Sequence, residues 1–256
     1  MLIDSTKIDY FKLKRVGIVG VPPRSIINDL QRHQVRIYDL DEPLTPVSLE
    51  TVGLLPQVYC AILRTVVVNA LHLDLDAIFI DIGPGKCDNA HYTARILSHR
   101  LPIPVIICHN LDAVKMGNPI CRSSLPLLEK FRRITASVIK PDPAPDPPIA
   151  CPPKAGFWGV PPRDFKLLEF FPDRTHVYGW TRCMENKTPA DHVLESYCNS
   201  TIPTVFFAQS FCPKTALARF LATCHPQALY LDVDSHCSGS AQAKIQAFLE
   251  LSGVQT

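Results

Sequence analysis

No apolar run in the chain is long enough to cross a bilayer. Ile78-Phe79-Ile80 and the stretch from Ile103 to Cys108 fall far short of the roughly 20 residues a spanning helix requires. No secretory leader is expected either, because Asp4 and Asp9 interrupt the region where one would carry its apolar core. An excess of one sign of charge is lacking: the formal net charge is +2 over 256 residues, which argues against a nucleic-acid footprint, since that needs basic residues clustered on one face. Lys12, Lys14 and Arg15 are the densest basic cluster and read as a solvated terminus. Cys-x-x-Cys is absent, which excludes the local loops of ferredoxins and zinc ribbons. The full Gly-x-Gly-x-x-Gly fingerprint is absent too. Gly17 and Gly20 stand alone, with two prolines directly after Val21, and so argue against a dinucleotide site. These absences predict a cytoplasmic protein that binds neither membranes nor nucleic acid.

The remaining composition is that of an ordinary globular protein, with 46% hydrophobic and 20% charged residues. The length suffices for one large core or two modest ones. Ten cysteines in a reducing compartment suggest metal or redox chemistry more than disulfides, although free cysteine is also a common small core residue.

The chain is written twice. Gly17-Ile18-Val19-Gly20-Val21-Pro22-Pro23-Arg24 recurs as Gly156-Phe157-Trp158-Gly159-Val160-Pro161-Pro162-Arg163, and Ala77-Ile78-Phe79-Ile80-Asp81 matches Ala228-Leu229-Tyr230-Leu231-Asp232. Between the copies, residues 140–148 are dense in proline and read as a stiff extended connector. Short apolar runs at 16–21, 35–38, 77–82 and 105–108 alternate with helical patterns at 25–32, 61–71, 90–100 and 125–138. That alternation predicts parallel sheets covered on both faces. The expected architecture is α/β, with two Rossmann-like halves related by internal duplication. Residues 1–139 form the first, 140–155 the linker and 156–256 the second.

Cys60, Cys87 and Cys212 each sit where an apolar run breaks and a helical pattern begins. A helix N-terminus carries partial positive charge and unpaired N–H groups, which favour a thiolate and hydrogen-bond to sulfur. Further residues extend the pattern. Pro56 precedes Cys60 and Arg64 follows four positions on, Cys87-Asp88 follows a strand, and Pro102-Ile103-Pro104 opens the next one. Phe211-Cys212 follows a strand of the second half, and Asp232-Val233-Asp234 leads to a Ser/Gly/Gln loop and a closing helix. With these features the chain resembles subunits of the 2-hydroxyacyl-CoA dehydratase and benzoyl-CoA reductase family.

The resemblance implies an oxygen-sensitive 4Fe-4S cluster on Cys60, Cys87 and Cys212, with one iron open to substrate. It also implies lyase or oxidoreductase chemistry by a low-potential electron on a small substrate, a CoA thioester in the resembling enzymes. The partners implied are a related second subunit or a second copy of the chain, and an ATP-hydrolysing activator that donates electrons. Asp88 is expected to cap its helix, Ser210 to donate near the third cysteine, and Arg64 to lie one turn beyond Cys60. Cys183 is the reserve ligand.

Two alternatives stand beside this reading. One is a non-catalytic iron–sulfur carrier or cluster scaffold. The other follows from Cys237, which falls near the duplicate position of Cys87. In size and two-half architecture the chain is similar to racemases of the aspartate/glutamate type, which use two thiols, one per half, on a single substrate.

Overall fold

The first strand of the repeated pattern, β2 (Arg15–Val19), lies inside a five-stranded parallel sheet, one place from its edge. Its order is β1-β5-β4-β2-β3, with β1 (Leu2–Asp4), β3 (Arg36–Asp39), β4 (Ala77–Asp81) and β5 (Val105–Cys108). The computed structural model describes residues 2–4, 8–51, 53–114, 119–140, 148–234 and 236–254. Residues 141–147 of the expected linker lie outside the described residues. All four strand pairs of this sheet are parallel. β4 is buried at every position, as a central strand covered on both faces must be.

Among the described residues, three α-helices connect strands β2 to β5 of this sheet. α1 (Arg24–Arg32) buries Ile26, Ile27 and Leu30 on one stripe. α2 (Ala61–His72) carries the β-branched run Thr65-Val66-Val67-Val68, which helix propensity disfavours. Burial of that whole run compensates. Asn69 of α2 is fully buried, and its Nδ2 donates to Leu40 O at 2.9 Å and Glu42 O at 2.6 Å, pinning the helix to the loop beyond β3. α3 is Asp88–Arg100.

The second sheet has four parallel strands, ordered β7-β6-β8-β9: β6 (Ala155–Trp158), β7 (Thr175–Tyr178), β8 (Thr204–Gln209) and β9 (Ala228–Val233). Its helices are α4 (Leu127–Ile139), α5 (Trp180–Asn186), α6 (His192–Ser196), α7 (Lys214–Cys224) and α8 (Gly239–Leu251). Its core is aromatic: Phe157 meets Phe131 edge-on at 5.2 Å, Phe171 at 5.5 Å, and stacks on Phe207 at 5.6 Å.

The architecture is therefore α/β in two halves. One unit comprises Met1–Lys115, Val138–Pro141 and Lys187–Ala190; the other comprises Met116–Ser137, Asp142–Asn186 and Asp191–Thr256. Most of α4 thus belongs with the second sheet, and Lys187–Ala190 with the first. Among the described residues no helix is long and apolar enough to cross a membrane.

Leaving β1 aside, both sheets share one strand order, with the second, first, third and fourth strands side by side. That order corrects one expected match. Ala77–Asp81 is the third strand of its set and central, whereas Ala228–Asp232 belongs to β9, the fourth strand, at a sheet edge and half exposed. The counterpart of β4 is β8. Similar local strings had masked different places in the sheet. β1 was also unexpected, since three residues are too few to show a period.

Candidate functional site

In doubly wound sheets the ligand crevice opens beyond the carboxyl ends of the strands, where the order reverses. In the first unit that point lies between β2 and β4, and in the second between β6 and β8. The loops in question are Gly20–Pro23 and Ile82–Cys87 in the first unit, and Gly159–Pro162 and Ser210–Pro213 in the second. Cys87 and Cys212 therefore occupy the same corner, after the third strand and ahead of its helix. Cys87 is the N-cap of α3, exposed, with no side-chain capping bond. Cys212 is half-buried, and its carbonyl accepts the Thr215 N–H in the first turn of α7 at 3.0 Å.

A buried polar residue ends the third strand in each unit. In the first it is Asp81, whose Oδ1 accepts the N–H of Gly83 and of Asn110, each at 3.0 Å. Its Oδ2 faces Lys86 Nζ at 3.0 Å, an ion pair with both side chains almost out of water. Asn110 is buried and donates to Val21 O at 3.0 Å and Lys187 O at 3.2 Å, so one carboxylate organises three segments. In the second unit Gln209 takes this place. Its Oε1 accepts Arg163 N–H at 3.0 Å, and its Nε2 donates to Val233 O at 2.9 Å and Asp234 O at 2.6 Å.

A lysine adjoins each corner cysteine. Lys86 is held by Asp81. Lys214 pairs with the buried Glu195 of α6 and lies 5.1 Å from the Trp180 ring centroid. A left-handed residue precedes each corner: Gly85, with φ of +78°, and Phe211, with φ of +63°. A Cβ on Gly85 would stand 2.1 Å from the Ala190 Cβ, so glycine is required there twice over.

Behind the first corner, Gly20 (φ +74°) donates its N–H to Asp41 Oδ2 at 2.8 Å, and Asp39 Oδ1 accepts the Asp41 N–H at 3.1 Å. Burial lifts the Asp41 pKa to about 6, against the opposing effects of the Gly20 N–H and of Lys86. Burial, followed by the charges of Asp41 and Glu42, raises Asp39 well above the usual carboxylate range. Burial, and then the Asp81 charge, pushes the Cys108 thiol up strongly.

The expected site residues are placed as follows. Cys60 is the buried N-cap of α2, and its carbonyl accepts the Arg64 N–H at 3.0 Å, one turn on. Cys60 and Cys87 both act electrostatically on Tyr59, whose hydroxyl lies 3.4 Å from Asn89 O; burial is the main cause of the raised Tyr59 pKa. Asp88 does not cap α3: it is the exposed first helical residue, and Cys87 holds the cap position. Ser210 Oγ donates to Asp232 Oδ1 at 2.9 Å instead of to a thiol. Cys183 is fully buried within α5, and burial raises its pKa. Cys237 follows the fourth strand, so the counterpart of Cys87 is Cys212. Its N–H donates to Asp164 Oδ2 at 3.2 Å.

Among the described residues no group of three or more His, Cys, Asp or Glu side chains is gathered to hold a metal ion. Iron–sulfur clusters are held by sets of thiolates. The first unit brings two cysteines to neighbouring helix starts, and the third expected ligand belongs to the second unit.

Sequence reading missed Asp81, Lys86, Asp41, Gln209, Glu195 and Lys214. The signal for the first two was present: a strand-end aspartate and Gly83-Pro84-Gly85-Lys86 between a strand and a helix. No family model matches the chain, and no curated protein matches it.

Proposed function

We propose that the chain is a two-thiol isomerase of the aspartate/glutamate-racemase type, acting at a carbon acid next to a carboxylate, with Cys87 and Cys212 as its thiols. One observation carries the reading: two sheets that share one strand order once β1 is set aside each have a cysteine between the third strand and its helix. In such chemistry one thiolate removes the proton from the substrate carbon, and the other thiol returns a proton from the opposite face, inverting the centre. The proton taken by the first sulfur replaces the proton given by the second, with no redox change. Cys237, the thiol first assigned to the second half, has no part in this scheme.

The test is proton–deuterium exchange at the α-carbon of aspartate, glutamate and their enantiomers in D2O, followed by NMR and chiral chromatography. Wild type should interconvert one enantiomeric pair, and Cys87→Ser and Cys212→Ser should each abolish interconversion while Cys237→Ser retains it. Interconversion that survives either of the first two substitutions overturns the assignment of the thiols. No exchange in any of these substrates overturns the proposed substrate class.

The iron–sulfur reading is kept as a second proposal because Cys60 and Cys87 both hold N-cap positions and both act on Tyr59. On that reading the chain is a dehydratase-like subunit or an electron carrier, working with a second subunit and an activator. Iron and acid-labile sulfide in anaerobically purified protein decide it. Metal that is lost in Cys60→Ser, Cys87→Ser and Cys212→Ser alike supports a cluster, and iron-free wild type removes it.

A further inference from the structure

We propose that Cys198 and Cys224 form a reversible disulfide within the second unit, which fastens the end of α7 to the segment leaving α6. Cys198 follows α6 by two positions, and Cys224 is the last residue of α7. The residues that follow them are joined directly. His225 Nδ1 accepts the Gln227 N–H at 3.1 Å, which leaves the ring proton on Nε2, and Nε2 donates to Asn199 O at 3.0 Å. The same ring packs edge-on against Phe206 at 5.5 Å. Cys198 lies half-buried on the cluster of Trp158, Tyr178 and Phe206, the surface on which Leu221 and Ala222 of α7 also pack. Burial raises the Cys198 pKa, and the proximity of Cys224 raises it further.

Their unequal exposure suits thiol–disulfide exchange. Cys224 is exposed and open to an oxidant, while Cys198 is half-buried. With a small-molecule disulfide of the glutathione type, the Cys224 thiolate attacks one sulfur, the small S–S bond breaks, and one small thiolate leaves with the electron pair. The Cys198 thiolate then displaces the second small thiol and closes the Sγ–Sγ bond. Two electrons pass from protein to oxidant, two protons leave the protein thiols, and two small thiols are formed. The opposite end of α7 is already tied to α6 through Lys214 and Glu195. Oxidation thus anchors at both ends the helix that begins beside Cys212. The inference stands on its own geometry and does not depend on the isomerase reading.

The experiment is thiol mapping of the full chain, reduced and then incubated with oxidised glutathione, with remaining thiols alkylated before proteolysis and mass spectrometry. The expected product is one cross-linked peptide pair joining Cys198 to Cys224. It should be two hydrogens lighter than the separate peptides, reverse under dithiothreitol, and disappear in Cys198→Ser and Cys224→Ser. The oxidised wild type should also unfold at a higher temperature than the reduced form. Recovery of Cys198 and Cys224 only as separate alkylated or glutathionylated peptides overturns the proposal, as does pairing of either with other cysteines at equal yield. The wild-type map decides this even where a variant fails to fold.

Discussion

Lys86 Nζ stands 3.0 Å from Asp81 Oδ2 at the carboxyl end of β4, with the aspartate side chain wholly and the lysine side chain nine-tenths removed from water. The pair is surrounded by backbone: Asp81 Oδ1 accepts two N–H groups, and a Cβ on Gly20 would approach the ammonium to 3.3 Å. Breaking a buried pair from one side strands the other charge, whereas removing both is far milder. Asp81→Asn keeps an acceptor for Gly83 and Asn110 but deprives Lys86 of the carboxylate. It should cost about 3–5 kcal/mol in urea unfolding at pH 7. The double variant Asp81→Asn/Lys86→Met should recover most of that loss. Equal losses in the single and double variants would show that the pair is not coupled.

This pair also marks what the sequence left hidden. The elements themselves were legible: the apolar runs at 35–38, 77–82 and 105–108 became β3, β4 and β5, and the helical patterns at 61–71 and 90–100 became α2 and α3, each within two residues at either end. β-Branched runs and helical periods are local properties, so they survive without a structure. Strand order is not local. Ala77–Asp81 and Ala228–Asp232 share a string but differ in place, and only the sheet shows that Cys212 corresponds to Cys87. Buried charge was equally opaque, because Asp81, Asp39 and Glu195 look like surface residues until the fold surrounds them.

Asp41 predicts a pH response. Its pKa is raised to about 6 by burial, from 3.8 in the unfolded chain. Between those values the folded state binds the proton and the unfolded state has lost it, so this group's contribution falls as pH rises from about 4 to 6. Asp41→Asn retains an acceptor for the Gly20 N–H and carries no charge at any pH. It also relieves the repulsion on Asp39. The variant should be more stable than wild type at pH 7, with the difference closing on acidification to pH 4. Guanidinium unfolding across that range checks it, and a difference independent of pH contradicts it.

Phe211 holds a left-handed conformation, with φ of +63°, and is half-exposed, so little burial offsets the strain. That conformation costs a non-glycine residue roughly 1–2 kcal/mol, while glycine returns about 0.5–1 kcal/mol of that gain to the unfolded chain. Phe211→Gly should therefore be neutral to about 1 kcal/mol more stable. Should Cys212 act as the second thiol, the same variant should lose turnover through a looser corner, seen as a fall in kcat with stability intact. A loss of stability above 1 kcal/mol would mean that the exposed ring contributes packing.

Lys130 is the largest charge wholly withdrawn from solvent in the second unit, at 0% exposure, with its Nζ donating to Thr175 O. The core face of α4 explains its position, since Leu127, Phe131 and Ile134 are buried around it. Burial lowers its pKa from 10.5 to about 8. Between those values the unfolded chain holds a proton that the folded chain has released, so stability attributable to this group rises with pH across the window. The full rise is on the order of 3 kcal/mol. Lys130→Met removes the cost of burying a charge, and such replacements are often neutral or stabilising. The variant should exceed wild type in stability at pH 7, and that advantage should shrink steadily toward pH 10.5. Tyrosines and cysteines with raised pKa titrate in both proteins and cancel in the comparison. Cys121, which Lys130 influences directly, lies at about 12, above the window. Urea unfolding at pH 7, 8.5 and 10 under reducing conditions measures the difference. A constant difference across those three values would mean that Lys130 keeps its proton in the folded protein, and that the Thr175 carbonyl sustains a buried ammonium at its ordinary pKa.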